Sequence, residues 1–207
     1  NDVYSFENTI SLEQSLYAGE NAKIDLSKIK FINPYCAVNL LLLGKNYLKK
    51  TGAKISLINL SPEISSYLER MDFIKRNIFC IESSSDNKLS RSGMSKSIIE
   101  ITDIPGKERE SVKAITNVVA LFRKRAEFIF KSSFSENNTD NFITVISEMC
   151  QNIFEHSLDS GYVALQTYKT AKGPVVHLVV ADSGIGIEGS FVRMNKNCGK
   201  GSDLLVK

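Results

Sequence analysis

The chain has 207 residues, of which 43% are hydrophobic and 24% are charged, and its formal net charge is +3. This ordinary globular composition fits one large or two small domains, each able to bury a core. No apolar run approaches the length of a bilayer span, so we expect no membrane-spanning segment, and the small net charge argues against a nucleic-acid-binding protein.

The first half of the chain alternates predicted strands with predicted helices. Residues 21–27 have the pattern of a strand, and a helix is predicted to begin at Asn33 and Pro34, because Asn is a good N-cap and Pro fits the first helical turn. This helix is predicted to end at Thr51-Gly52. Its predicted apolar face consists of Ala37, Leu40, Leu41, Leu43 and Leu48.

A second strand and a second helix follow in the same order. The strand is predicted at residues 54–59, and the helix is predicted to run from Ser61-Pro62 to about Phe73. Strands that alternate with helices in this way imply a parallel or mixed sheet.

This order of elements resembles the STAS domain, the fold of anti-sigma-factor antagonists. The segments that carry the resemblance are FINPYCAVNLLLL at residues 31–43 and ISLINLSPEISSYLERMDF at residues 55–73. The resemblance implies a STAS-like domain at residues 1–82.

The strand-to-helix turn departs from the STAS pattern. In that family the first Ser or Thr after an acid at this turn accepts phosphate from a partner kinase, and the matching residues here are Asn33, Pro34, Tyr35 and Cys36. Proline has no hydroxyl, so phosphorylation at that position is excluded. We expect a packing or interface role for Tyr35 and an unreactive buried thiol at Cys36.

A serine-rich linker is predicted between the two halves of the chain, at residues 83–96. A strand is predicted at residues 97–104, ended by Pro105-Gly106, and a helix follows at about residues 108–131. The cluster Arg123-Lys124-Arg125 is predicted to form part of the solvated surface of this helix, so we do not expect it to bind nucleic acid.

The next helix is predicted at residues 140–157. Glu148, Asn152 and His156 follow each other at intervals of four residues, which places them on one polar stripe, separate from the apolar side. Such a stripe is either a solvated surface or a binding surface, and the spacing alone leaves both open. The predicted apolar side consists of Phe142, Ile146, Met149, Cys150 and Ile153.

A nearly all-apolar strand, predicted to be buried, follows at residues 174–181. Asp182 comes where this strand ends, and Gly184 and Gly186 come shortly after it. One interpretation is a tight turn in which Asp182 bonds to backbone amides. The other is a ligand site, in which the carboxylate accepts from the exocyclic amine of a base and the two glycines let the backbone approach the ligand.

The segment Gly184–Gly189 also matches the dinucleotide-binding pattern G-x-G-x-x-G. That fold needs a helix opening at the glycines, a second strand, and an acid about 20 residues further on. The chain instead continues into the polar, glycine-rich residues 194–202, so we do not expect the dinucleotide fold. Gly199-Lys200-Gly201-Ser202 likewise lacks the spacing of a phosphate loop.

Two of these patterns together resemble a known superfamily. Glu148-x-x-x-Asn152 on a helix and Asp182-x-Gly184-x-Gly186 after a strand are similar to the N box and the first glycine box of the GHKL ATPases. This superfamily includes histidine kinases, anti-sigma-factor serine kinases and gyrase. The resemblance covers about residues 108–207.

The resemblance implies a role for each motif residue. Asn152 would coordinate Mg²⁺ through its amide oxygen, and Glu148 would orient or deprotonate the attacking hydroxyl or water. Asp182 would accept a hydrogen bond from the adenine amine. His156 would line the phosphate end of the site. The ATP-binding residues implied in this way are Asn152, His156, Asp182, Gly184 and Gly186.

The predicted fold class is therefore α/β: a STAS-like mixed sheet with helices, followed at residues 97–207 by a GHKL or Bergerat-type α/β sandwich that is truncated in its lid. The superfamily has a second glycine-rich box after a mobile lid, and residues 191–202 have lid-like composition. We expect the second box and the closing strands to lie beyond Lys207.

The pairing of the two modules implies a bacterial regulatory protein that binds ATP and Mg²⁺. By resemblance, it would be a serine kinase that acts on a partner of the STAS or sigma-regulator type. Two alternatives stay open: a non-catalytic, nucleotide-gated interaction module, which the missing hydroxyl at Pro34 favours, and a slow GHKL ATPase that dimerises on ATP. A homodimer remains open, and we expect no membrane partner.

The cysteines do not form a metal-binding pattern. No two of them have C-x-x-C spacing, and the chain has two histidines, so we do not expect a zinc site. Reduced thiols are typical of a cytoplasmic protein. The cysteines are Cys36, Cys80, Cys150 and Cys198.

Overall fold

The computed structural model describes residues 22–81, 95–106, 112–130 and 134–193. Within them the chain is mixed α/β, with one parallel and one antiparallel sheet of three strands each. The coarse prediction of an α/β fold is confirmed. The predicted linker lies almost entirely outside the described residues, as does most of the lid-like segment.

The parallel sheet is built from the first half of the chain. Its strands are β1 (Lys23–Asp25), β2 (Ile55–Ile58) and β3 (Phe79–Ile81), in the order β1-β2-β3. Ile24 is opposite Leu57, and Leu57 is opposite Ile81. Helix α1 (Pro34–Thr51) connects β1 to β2, and helix α2 (Pro62–Arg70) with the 3₁₀ turn Ile74–Arg76 connects β2 to β3.

Both helices begin where the cap residues predict. The Asn33 side chain accepts a hydrogen bond from the Cys36 backbone N–H at 2.9 Å, and the Ser61 hydroxyl accepts from the Ile64 N–H at 3.3 Å. Gly52 ends α1 in the left-handed conformation, with φ of 73°. The predicted apolar face of α1 needs a correction, because Leu40 and Leu48 are half-buried whereas Val38 and Tyr47 are buried.

The antiparallel sheet is built from β4 (Ile98–Ile104), β5 (Gly161–Thr170) and β6 (Gly173–Asp182), in the order β4-β5-β6. The sequence patterns did not predict β5. The first five residues of β5 are all buried, whereas Val179 is the buried residue of β6. The strand predicted at residues 174–181 is therefore present, but the prediction that it is buried is wrong: among the described strands β6 pairs with β5 alone, and most of its apolar side chains are partly exposed.

Two long helices lie between β4 and β5 in the chain. They are α3 (Val112–Phe130) and α4 (Glu136–His156), and the ring centroids of Phe130 and Phe142 are 5.2 Å apart where the helices pack. Helix α4 begins four residues earlier than predicted, because the Ser135 hydroxyl caps it by accepting from the Asn138 N–H at 3.3 Å.

Two side chains of these helices do not lie where the sequence predicted. Arg125 is 4% exposed, so the Arg123-Lys124-Arg125 cluster is not a continuous surface patch. The reason is the helical repeat, because residue 125 falls beside the buried Phe122, Ala126 and Ile129. Met149, which was predicted on the apolar side of α4, is 39% exposed.

The chain divides into two compact units. The first contains the residues up to Ile101, together with Ala164–Tyr168 and Val175–Val179. The second contains Thr102–Val163, Lys169–Pro174 and the residues from Val180 onward. Among the helices that the structure describes, none combines the length and the hydrophobicity needed to span a bilayer.

Candidate functional site

The polar stripe of α4 is exposed. Glu148, Asn152 and His156 all face solvent, while Ile146, Cys150 and Ile153 are buried on another side of the helix. The stripe is about 12 Å long, since eight residues separate its ends at a rise of about 1.5 Å each. Both side chains are exposed, and neither the Glu148 nor the Asn152 side chain forms a hydrogen bond with another described residue.

The residues beside the stripe have partners on the same helix. The Gln151 amide donates to Glu155 Oε1, and Glu155 Oε2 is 3.7 Å from His156 Nε2. Behind the stripe, burial raises the pKa of the Cys150 thiol to about 12. Because Cys150 is buried and fully protonated at neutral pH, it is a packing residue of this helix rather than a nucleophile.

Asp182 is exposed at the end of β6, and it uses one carboxylate oxygen for local bonds. Its Oδ1 accepts from the Ser157 hydroxyl at 2.6 Å and from the Gly184 backbone N–H at 2.8 Å. The bond to Gly184 closes a tight turn, which was one of the two interpretations of this segment of the sequence. Its Oδ2 has no hydrogen-bonding partner within the described ranges, so the turn leaves one acceptor oxygen available to a ligand.

Ser157 links the end of the helix that carries the stripe to the Asp182 loop. It directly follows α4, is 5% exposed, and accepts a hydrogen bond on its carbonyl oxygen from the Ile185 N–H at 3.0 Å. The end of the helix that carries the stripe is therefore bonded both to Asp182 and to the loop that follows it. Ser157 was not among the predicted site residues. A polar residue directly after the stripe was the signal that could have identified it.

Two glycines allow the chain segments to approach each other at Asp182. A β-carbon at Gly184 would be 2.0 Å from both the carbonyl oxygen and the hydroxyl oxygen of Ser157. One at Gly161, the first residue of β5, would be 2.6 Å from the Ala181 carbonyl oxygen and 3.1 Å from the Asp182 β-carbon. Gly184 thus makes room for Ser157, whereas the sequence pattern predicted that it makes room for a ligand.

Gly186 has the open position that was expected of both glycines. Its φ is 66°, in the left-handed region that favours glycine, and a β-carbon there would meet no atom within 4 Å. Helix α5 (Gly186–Arg193) begins at this residue, and the Ser190 hydroxyl donates to the carbonyl oxygen of His156 at 3.2 Å. Residues after the glycines are therefore bonded to the His156 end of the stripe.

A helix does open at the glycines, as the dinucleotide fold would require. That fold also needs a parallel β-α-β unit, and β6 instead belongs to an antiparallel sheet. The G-x-G-x-x-G match at Gly184–Gly189 therefore does not lie in the parallel strand arrangement of a dinucleotide-binding fold, and it does not indicate that fold.

The residues present suit a magnesium nucleotide. Within the part of the chain that the structure describes, no three His, Cys, Asp or Glu side chains cluster as a metal site. A Mg²⁺ ion bound to nucleotide phosphates needs few protein ligands. An exposed amide oxygen such as that of Asn152 is an oxygen ligand, the type that Mg²⁺ prefers. Asp182 Oδ2 supplies an acceptor for a base.

The first unit contains an apolar groove beside the start of α1. The groove has a volume of about 480 Å³, and Tyr35, Cys36 and Asn39 are among its polar lining residues. Tyr35 and Cys36 are both half-buried, so the prediction of a buried thiol at Cys36 is only partly met. Phe31, which also lines the groove, is 69% exposed.

Comparison with known proteins finds no match: no family model, no curated protein and no solved structure is significantly similar to the chain. The functional conclusion therefore depends on the side chains and backbone groups described above.

Proposed function

We propose that the second unit binds ATP with Mg²⁺ in the manner of the GHKL ATPases, and that the protein is a bacterial regulator whose partner is a STAS-type or sigma-pathway protein. The first unit, with a parallel sheet and helices in the order expected of a STAS-like domain, would serve as its interaction module.

The observation that carries the proposal is the 2.6 Å hydrogen bond from the Ser157 hydroxyl to Asp182 Oδ1. The two motifs were recognised separately in the sequence, and this bond links the residue directly after the N-box helix to the acid of the other motif. The contact joins the acid of the glycine box to the end of the N-box helix. Asn152 lies five residues before Ser157, which is about 7.5 Å along the helix axis.

The chemistry follows from the groups that remain exposed. Asp182 Oδ2 would accept from the exocyclic amine of adenine, and the Asn152 amide oxygen would hold the Mg²⁺ that the nucleotide carries. Glu148 is one turn further along the stripe, where a carboxylate can orient or deprotonate an attacking hydroxyl or water. His156 and the open backbone at Gly186 would complete the phosphate end.

The second candidate function is an interaction module that responds to nucleotide without transferring phosphate. The observation that favours it is in the first unit, where Pro34 is buried at the first position of α1 and has no hydroxyl to phosphorylate. The exposed apolar groove beside this turn is a surface on which another protein could dock.

Calorimetric titration of the full-length protein with Mg-ATP tests nucleotide binding. We expect the wild type to bind, and Asn152→Ala and Asp182→Asn each to weaken binding about ten-fold or more, because interactions with charged groups are typically worth about 1.5–3 kcal/mol. Asn141→Ala is the matched control, since Asn141 is exposed on the same helix about three turns before Asn152. A wild-type protein that does not bind Mg-ATP would contradict the proposal.

Glu148→Ala, measured alongside, separates the two candidate functions. If the protein is a kinase, this variant should keep ATP binding and lose phosphate transfer to a STAS-type acceptor. If it is an interaction module, the variant should bind its partner as the wild type does, and the wild type itself should transfer no phosphate.

A further inference from the structure

We propose that Ser157 is a positioning residue that makes the site selective for a 6-aminopurine. Its hydroxyl fixes the Asp182 carboxylate in an orientation that leaves one oxygen, Oδ2, to accept a hydrogen bond from the base. This inference depends on the proposed nucleotide binding, and it assigns the selectivity of that same site to a residue outside both sequence motifs.

Two hydrogen-bond donors bond to the same carboxylate oxygen of Asp182. The Ser157 hydroxyl and the Gly184 N–H both bond to Oδ1, at 2.6 and 2.8 Å. Two bonds from different directions restrict rotation of the carboxylate about its terminal torsion, which is otherwise broad. Oδ1 is thereby occupied, and Oδ2 is left as the oxygen available to a ligand.

Ser157 itself is held in place. It is 5% exposed, its carbonyl accepts from Ile185 N–H at 3.0 Å, and its hydroxyl oxygen accepts from Asp159 N–H at 3.4 Å. Since that backbone donor uses the acceptor side of the hydroxyl, the hydroxyl proton is directed to Asp182. The next residue, Leu158, has a φ of 61°, a strained conformation for a leucine that persists where the surroundings fix it.

The fixed carboxylate determines the chemistry of recognition. A carboxylate oxygen whose neighbour already accepts two hydrogen bonds can only accept, so it matches an N–H donor of the ligand. A base with an amine at position 6 provides that donor. A base with a keto oxygen there would place two acceptors face to face, and a site built to receive a hydrogen bond discriminates strongly against a ligand that lacks the donor. Ser157 contributes by preventing the carboxylate from turning away.

The experiment compares ATP with ITP, which differ at position 6 of the base, on the full-length wild type and on Ser157→Ala. We expect the wild type to prefer ATP. Ser157→Ala should weaken ATP binding about ten-fold, because the freed carboxylate must then be ordered when ATP binds, and leave ITP binding almost unchanged. The ratio of the two dissociation constants should therefore fall about ten-fold.

Asp182→Asn provides the second arm. In that background the carboxylate is absent, so adding Ser157→Ala should not change the ATP-to-ITP ratio further. If Ser157→Ala proves unstable at the assay temperature, Ser157→Cys keeps the size of the side chain with a weaker donor and should show an intermediate ratio.

The outcomes distinguish a failure of the proposed nucleotide binding from a failure of the proposed role of Ser157. A wild type that binds neither nucleotide overturns the proposed function itself. A wild type that binds ATP, with Ser157→Ala weakening ATP and ITP equally or changing neither, leaves nucleotide binding intact and overturns the positioning role of Ser157.

Discussion

Gly184 illustrates how a single position is constrained at the scale of the residue. The atoms that a β-carbon would strike include the main-chain carbonyl oxygen of Ser157, which cannot move away by changing a rotamer. Gly186, two residues later, has a positive φ but open space around it. The two glycines of one motif are thus required for different reasons, steric at the first and conformational at the second.

These different reasons predict different losses of stability when each glycine is replaced by alanine. Gly184→Ala should destabilise the protein by about 1–3 kcal/mol, the typical cost of forcing extra volume into a packed position. Gly186→Ala should cost about 1 kcal/mol, because its left-handed backbone is the main penalty. Urea unfolding of the two variants beside the wild type measures both values. Equal costs for the two variants would show that the close approach of Gly184 to Ser157 does not limit stability.

At the scale of the element, helix α1 is specified by its ends. The Asn33 side chain accepts from the Cys36 N–H, and Pro34 occupies the first helical position. Asp is as good an N-cap as Asn and adds a negative charge at the positive end of the helix dipole.

We therefore expect Asn33→Ala to reduce the free energy of unfolding by about 1 kcal/mol, and Asn33→Asp to leave it unchanged or slightly raised. Thermal or urea unfolding checks both variants, with Asn39→Ala, a substitution further along α1, as a comparison. If Asn33→Asp were as destabilising as Asn33→Ala, the side-chain cap would not be the source of the stability.

Elements with clear end signals could be predicted from the sequence, and elements without them could not. Helices α1 and α2 begin at the predicted caps because Asn33 and Ser61 precede a proline. Strand β5 was missed because its first half is buried on both faces and its second half passes from half-buried to exposed, so no single period runs through it. The first turn of α4 was missed because residues 136–141 are mostly polar, and the cap at Ser135 decides where the helix starts.

In the candidate site, too, features set by local geometry could be predicted from the sequence, and contacts between distant segments could not. The spacing of Glu148, Asn152 and His156 predicted an exposed stripe, because helical geometry is local and regular. The contact of Ser157 with Asp182 could not be predicted, because it depends on how the end of α4, the start of β5 and the end of β6 pack together.

At the scale of the whole molecule, the burial of ionisable thiol and phenol groups predicts how the free energy of unfolding depends on pH. Burial raises the pKa of Cys150 to about 12, and burial also raises the pKa values of Tyr67 and Tyr168. These groups stay protonated in the folded protein at pH values where the unfolded chain has released their protons. The folded state then binds more protons than the unfolded state, so raising the pH favours unfolding.

The contribution of Cys150 should be complete below pH of about 8.5, the ordinary pKa of a thiol, and should be lost as the pH rises toward 12. We expect the free energy of unfolding to fall by about 1 kcal/mol per pH unit from this group, with the tyrosines adding to the slope above pH of about 10. Urea unfolding between pH 8 and 10.5 measures the slope. Cys150→Ala should reduce it, and an unchanged slope would show that this thiol is not responsible.

The packing of Gly184 against Ser157 also bears on how such sequences diverge. A substitution at Gly184 cannot be rescued by a smaller neighbour, since the obstacle is a main-chain carbonyl oxygen that every amino acid carries. Selection for a folded protein alone should therefore preserve this glycine. Descendants that abandoned nucleotide binding would keep Gly184 while Asn152 and Glu148 drifted, so the amide and the acid on the helix are the better markers of a working site among relatives of this chain.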